Sequence, residues 1–104
     1  MLTERDYCDH ETCVALKELG FNISDRCVPD YLEGNRIHIW DAQKWLREKK
    51  KIEVVVLSRG MIGAPYYFQV YTEDYVIADD ENYTSFEEAL LAGIKESIKI
   101  LKEE

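Results

Sequence analysis

Two β-rich runs separated by a glycine-bearing turn constrain this chain more than any other feature. Ile52–Leu57 reads IEVVVL, a β-branched run, and Tyr66–Thr72 reads YYFQVYT, an aromatic one. Side chains of both kinds suit a pleated, half-buried surface, so both runs are strand formers. Arg59-Gly60-Met61-Ile62-Gly63-Ala64-Pro65 supplies the turn between them, and the pair reads as an antiparallel hairpin. Side chains alternate along a strand, so Tyr66, Phe68 and Val70 point one way and Tyr67, Gln69 and Tyr71 the other. IEVVVL is too apolar for a solvent-facing edge and is expected at the centre of its sheet. A shorter third strand, Tyr75–Ala78, follows a Glu-Asp turn.

Helical patterns flank this unit. Asp9 is the expected N-cap of a first helix running to Leu19, with Asp6 the weaker alternative. Cys13, Leu16 and Leu19 step by threes along its apolar stripe, with Val14 beside them. Gly20 stands where a left-handed residue closes a helix, and Phe21 follows as its hydrophobic contact. Residues 22–36 carry Asn22, Pro29, Gly34 and Asn35 and read as a loop, with a short extended piece at Arg26–Val28. Arg36-Ile37-His38-Ile39 alternates as a brief strand. A second helix is expected to start at Asp41, with Trp40 and Trp45 placed as a hydrophobic staple. Ala42, Trp45, Leu46 and Lys49 share one of its faces; Lys44, Arg47 and Lys51 line the other. After an acidic loop at Asp79–Asn82, a last helix opens on Thr84 or Ser85. Either gives a capping box, with Glu87 or Glu88 respectively. Phe86, Leu90, Ile94, Ile98 and Leu101 form its apolar stripe, widened by Ala89, Leu91 and Ile100.

The order α, short β, α, β, β, β, α predicts an α+β fold, with three helices on one face of a small antiparallel sheet. At 104 residues, 1–104 forms a single domain. Trp45, Leu46, Val54, Val56, Phe68, Leu90, Ile94 and Ile98 are the expected core. An apolar content of 46% with two prolines argues for a folded globule rather than an acidic tail. No apolar run approaches the length of about 18 residues that spans a membrane. Met1–Asp6 lacks the basic and apolar regions of a secretory signal, which points to the cytoplasm.

Charge is unevenly placed. Gly60 to Ile94 holds no Lys or Arg but seven acids, −7 of a total of −8, whereas Arg36 to Arg59 balances at +4. Such poles steer partners without specifying a fold. Three cysteines, Cys8, Cys13 and Cys27, suit a reducing compartment better than a disulfide framework. With His10 they would make four zinc ligands, but C-x-H-x₂-C matches no usual knuckle, and Cys13 falls on an apolar stripe. Neither a metal nor a cofactor is expected.

Catalysis needs convergent groups with tuned pKa values, and the chain offers only His10 and His38 as imidazoles. His10 falls in a first helical turn; His38 is expected exposed on its strand. No G-x-S-x-G, H-E-x-x-H or phosphate loop is present, and Gly60–Gly63 precedes a strand rather than a helix. Asp79–Asn82 lacks EF-hand spacing. Adjacent acids such as Glu87–Glu88 carry no weight as acid/base pairs in so acidic a chain. No enzyme is expected.

Three stretches carry a resemblance: Cys8-Asp9-His10-Glu11-Thr12-Cys13-Val14-Ala15-Leu16-Lys17-Glu18-Leu19-Gly20-Phe21, Ala42-Gln43-Lys44-Trp45-Leu46-Arg47-Glu48-Lys49, and Ser85-Phe86-Glu87-Glu88-Ala89-Leu90. In this order the chain resembles a group of short proteins of Bacteroidales genomes and of their phages and mobile elements, a group without an assigned activity. The resemblance covers most of the chain apart from residues 22–36 and the hairpin turn. It implies a phage or mobile-element accessory protein with a counter-defence role in the cytoplasm of a bacterial host cell, and it implies no functional residue, because these motifs are helix segments.

Such accessory proteins act by occupying a host component, and each charge pole suggests one way. Arg36, Lys44, Arg47 and Arg59, with Lys51 nearby and Tyr66 and Tyr67 from the hairpin, offer phosphate pairing and base stacking to a small anionic, nucleotide-like ligand. Sequestration of such a ligand is the leading reading. Alternatively Asp79, Asp80, Glu81, Glu87 and Glu88 present carboxylates to a basic surface of a host protein, imitating nucleic acid. Direct nucleic-acid binding is disfavoured by the net charge of −8. A homo-oligomer stays open.

Overall fold

In the computed structural model, residues 7–21, 37–58, 65–78 and 82–103 are described. Their elements run α1 (His10–Glu18), α2 (Ile39–Lys50), β1 (Glu53–Ser58), β2 (Tyr66–Tyr71), β3 (Val76–Ala78) and α3 (Phe86–Glu103). The strands form one antiparallel sheet in the order β1-β2-β3. α3 lies across β1 and β2, α2 packs on α3 and β1, and α1 packs on α3. This is the expected α+β architecture, with the helices gathered on one face.

Register fixes which side chains meet the helices. Val54 pairs with Val70, Val56 with Phe68, and Val70 with Ile77. These point toward α3, which buries Leu90, Ile94 and Ile98 in return. α3 comes closest to the sheet at Gly93, where an added Cβ would overlap Val54 Cγ1 and stand 3.3 Å from the Phe68 ring. The expected core is buried except for Val56, which is partly covered. α3 starts after Ser85, whose Oγ accepts from the Glu88 amide at 3.1 Å. Of the two expected boxes, the Ser85–Glu88 pair therefore caps the helix. The Glu88 carboxylate instead accepts from the Thr84 hydroxyl at 3.0 Å.

α1 follows the sequence closely. Asp9 Oδ1 accepts from Thr12 N at 2.9 Å, so the cap satisfies a donor that the first turn leaves unpaired. At the other end Gly20 takes φ +113, its N–H reaches Lys17 O, and the Phe21 N–H reaches Leu16 O. This paired closure is a Schellman motif, and it delivers Phe21 edge-on to Trp45 with ring centroids 5.6 Å apart.

α2 departs from expectation at its start. It begins at Ile39, and the cap is His38, whose Nδ1 accepts from Trp40 N at 3.3 Å. Asp41 is a buried residue of the first turn rather than the cap, and Trp40 stacks on His38 with ring centroids 4.3 Å apart instead of stapling to Trp45. The brief strand shrinks to one antiparallel bridge, Tyr7 to His38, and His38 is 2% exposed rather than solvent-facing. The cause is tertiary: Ile37 and Ile39 are both fully buried, and Cys8 N donates to Ile37 O at 2.8 Å. α2 ends on Lys51 in the left-handed conformation, φ 58 and ψ 35.

β1 is a second departure. Among the described residues it pairs only with β2, which takes the central place expected for β1. Its edge is met by α2, where Gln43 Nε2 donates to Val54 O at 2.7 Å. A helix side chain thus protects an edge that would otherwise invite further pairing.

Candidate functional site

The opposite face of the sheet carries no described helix. Register sets Glu53, Val55 and Leu57 of β1 beside Tyr71, Gln69 and Tyr67 of β2, and Val76 and Ala78 of β3 flank Tyr71 and Gln69. These eight residues alternate with the inward set, so they share one face. Apolar and aromatic side chains dominate it, and none of the eight is Lys or Arg. Tyr71 and Val76 are 39% and 54% exposed; Val55, Leu57, Tyr67 and Gln69 are half-buried. The Tyr71 hydroxyl donates to Gln69 Oε1, which holds the two side chains together across the surface.

One end of this face is acidic. The β2–β3 turn carries Glu73 and Asp74, both exposed, followed by Tyr75 at 48% exposure. Thr72 builds the turn: its Oγ1 accepts from Asp74 N and Tyr75 N and donates to Tyr75 O. The two carboxylates play no part in these bonds. Behind the turn, toward the helices, a cleft of about 180 Å³ is lined by Lys50 and Lys51 together with Glu73, Asp74 and Tyr75, with Ile100 of α3 beside them.

The residues expected to hold an anionic ligand do not converge among those described. Arg36 and Arg59 lie outside the described residues. Lys44 Nζ stands 4.0 Å from Glu48, and Arg47 stands 3.6 Å from Glu53, both pairs being about half exposed. Tyr66 and Tyr67 point to opposite faces. Tyr66 meets Phe86 edge-on at 6.3 Å and bridges Tyr83, while Tyr67 belongs to the helix-free face beside Leu57. Leu57 is four residues along β1 from the Glu53 that Arg47 meets, roughly 13 Å at strand rise.

Of the expected acidic set, Asp79, Asp80 and Glu81 lie outside the described residues. Glu87 and Glu88 occupy the first turn of α3, where the helix dipole favours them. That gives both a structural role.

Cys8 and Cys13 form a buried thiol pair beneath α1. Cys13 Sγ donates to Cys8 O at 3.5 Å and accepts from Ile37 N at 3.4 Å. The Cys13 thiol, and then burial, push the Cys8 thiol well above the ordinary thiol range, so it stays protonated and unreactive. His10 is exposed and Cys27 lies outside the described residues; among those described, no three His, Cys, Asp or Glu side chains group as metal ligands. Nearby, burial pushes the Asp9 carboxyl up, but bonds from Lys95 (2.7 Å) and Thr12 outweigh it and hold the group at about 2.

Alternation in YYFQVYT was enough to put Tyr67, Gln69 and Tyr71 on one face, but not to show which face the described helices cover. The signal was the apolar run in β1, whose Val55 and Leu57 complete that surface. No described helix is long and apolar enough to cross a membrane. Comparisons with protein-family models, curated proteins and solved structures find no match.

Proposed function

We propose that this is a non-enzymatic binding protein that acts by occupying another protein through the face of its sheet that no described helix covers. The observation that carries this is the composition of that face: six of its eight residues, Val55, Leu57, Tyr67, Tyr71, Val76 and Ala78, are apolar or aromatic, with Glu53 and Gln69 the other two. Tyrosine combines apolar area with a polar tip and few rotors, which suits it to the core of a protein interface. A face with only solvation to perform would carry Lys, Glu and Thr there instead. The accessory, counter-defence setting implied by the resemblance agrees with action by occupancy.

The small-anion reading draws on the exposure of Lys44 and Arg47, but each of these already faces a carboxylate, and the two tyrosines diverge. It therefore takes second place.

Photo-crosslinking in a bacterial host tests the proposal. A benzophenone side chain replacing Tyr71 or Val76 is expected to give a discrete protein adduct. The same group at Val14 or Lys99, on the helical side, is expected to give none. Equal adducts from both sides would refute it.

A further inference from the structure

We infer that the cleft at the end of the sheet, behind the β2–β3 turn, is a binding site for a small zwitterion with an apolar side chain: a free apolar α-amino acid. The site lies apart from the protein-binding face and does not depend on it.

Backbone bonds fix its walls. On one side α2 ends at Lys51, whose N–H reaches Leu46 O, and the Ile52 N–H reaches the same carbonyl at 3.1 Å. On the other side Thr72 holds the β2–β3 turn through Asp74 N, Tyr75 N and Tyr75 O. Ile52 and Ile100, both buried, add an apolar lining. A volume of about 180 Å³ equals about six waters at roughly 30 Å³ each, and it stays below the roughly 300 Å³ at which sites for drug-sized ligands begin. A single amino acid fits that space; a nucleotide does not.

Charge selects the ligand. Lys50 and Lys51 line the cleft together with Glu73 and Asp74, so its formal charge sums to zero. A simple anion or a simple cation meets like charge there as well as unlike, whereas a molecule carrying both signs can pair with each. The Lys50 ammonium lies over the Trp45 ring at 5.5 Å, which leaves Lys51 to supply the cation. None of the ion pairs among the described residues includes Lys51, Glu73 or Asp74, and the hydrogen bonds of the turn leave both carboxylates unused. Lys51 also stands where backbone chemistry favours glycine, at φ 58. Glycine would close the helix with less strain; what lysine adds is an ammonium on the lining of the cleft. An α-ammonium on Glu73 and Asp74, an α-carboxylate on Lys51 and an aliphatic side chain against Ile52 and Ile100 together use both charges and the apolar lining.

Free L-leucine, leucine amide and N-acetyl-leucine serve as probes, with binding mapped by amide chemical shifts. Leucine carries both charges, the amide only the ammonium and the acetyl form only the carboxylate. Leucine is expected to bind about fivefold tighter than either, the upper end for one partly exposed ion pair. Its shifts are expected at Lys51, Ile52, Asp74, Tyr75 and Ile100. Lys51→Gly removes the ammonium while relieving the backbone, so that chain is expected to melt no lower than its parent. It should bind leucine about fivefold more weakly and leave the amide unaffected. Glu73→Gln with Asp74→Asn, exposed and outside the bonds of the turn, is expected to weaken leucine and the amide and to spare the acetyl form. Absence of shifts at the cleft, or equal binding of leucine and either blocked form, overturns the inference. So does undiminished leucine binding by the Lys51→Gly chain.

Discussion

Replacing Gly93 by Ala tests the packing on which the sheet's orientation depends. On helix propensity alone the change stabilises, by about 1 kcal/mol, because alanine loses less backbone entropy than glycine. Packing opposes it. The new methyl would overlap Val54 Cγ1 and crowd the Phe68 ring at 3.3 Å. Val54 is fully buried and β-branched, so it has few other rotamers to adopt, and its strand is pinned by pairing to Val70. α3 has to lift instead, which loosens Leu90 and Ile94 along with it. Overpacking of this kind costs about 1–3 kcal/mol, and the rigidity of the site places it near the upper end. The net loss is then about 2 kcal/mol, a drop in Tm of roughly 10 °C for a domain of this size. Thermal melts by circular dichroism, with urea titration at 25 °C, measure it. Shrinking the obstacle with Val54→Ala in the same chain is expected to recover part of the loss, beyond the sum of the single effects. A Gly93→Ala protein as stable as its parent would show that helix and sheet do not approach so closely, and the assignment of the sheet's two faces would lose its support.

Four other outcomes are expected. Ile94→Ala, at a fully buried position, should cost about 2–5 kcal/mol in urea unfolding; a change near zero would mean a wrong register for α3. Lys51→Gly should stabilise by about 0.5–1 kcal/mol, since it relieves a left-handed residue, and a lower Tm would count against that conformation. Asp9 titrates at about 2 when folded, below its ordinary 3.8, so its contribution is present above that ordinary value and lost as pH falls toward 2. Asp9→Ala should therefore cost about 1 kcal/mol at pH 7 and much less at pH 2, and a pH-independent gap would refute the Lys95 and Thr12 contacts. Finally, purified protein is expected to release no nucleotide on denaturation, and Lys44→Glu with Arg47→Glu to preserve activity; a nucleotide found by mass spectrometry would return the basic pole to first place.

Where local chemistry decides structure, the sequence was readable. Asp9 and Gly20 close α1 by side-chain and backbone bonds spanning a few residues, and the apolar stripe of α3 repeats often enough to fix its buried side. The start of α2 was not readable in this way. Asp41 between two tryptophans offers a better-looking cap than His38, and only the burial of Ile37 and Ile39 against Tyr7 and Cys8 moves the helix start. Lys51 gives no sign of its left-handed backbone because lysine has no preference for it. Misplacing β1 at the sheet's centre has a single cause: IEVVVL is apolar on both sides, and the pattern cannot say that one side meets helices and the other meets none of those described. That ambiguity hid the candidate site, since coverage of a face is a property of the whole fold.

The strand order β1-β2-β3 also bears on how the chain reaches this structure. Every pairing in the sheet joins neighbours in sequence, through connections of seven residues or fewer, so little loop entropy is lost before the ladder forms. The next element, α3, then closes directly over β1 and β2, with Tyr83 already bridged to Tyr66 at its threshold. The described ladder is therefore built from near contacts, of the kind associated with rapid folding. α1, by contrast, packs on α3 at the other end of the chain, so the contact that covers the thiol pair closes a far longer loop at a larger entropic cost.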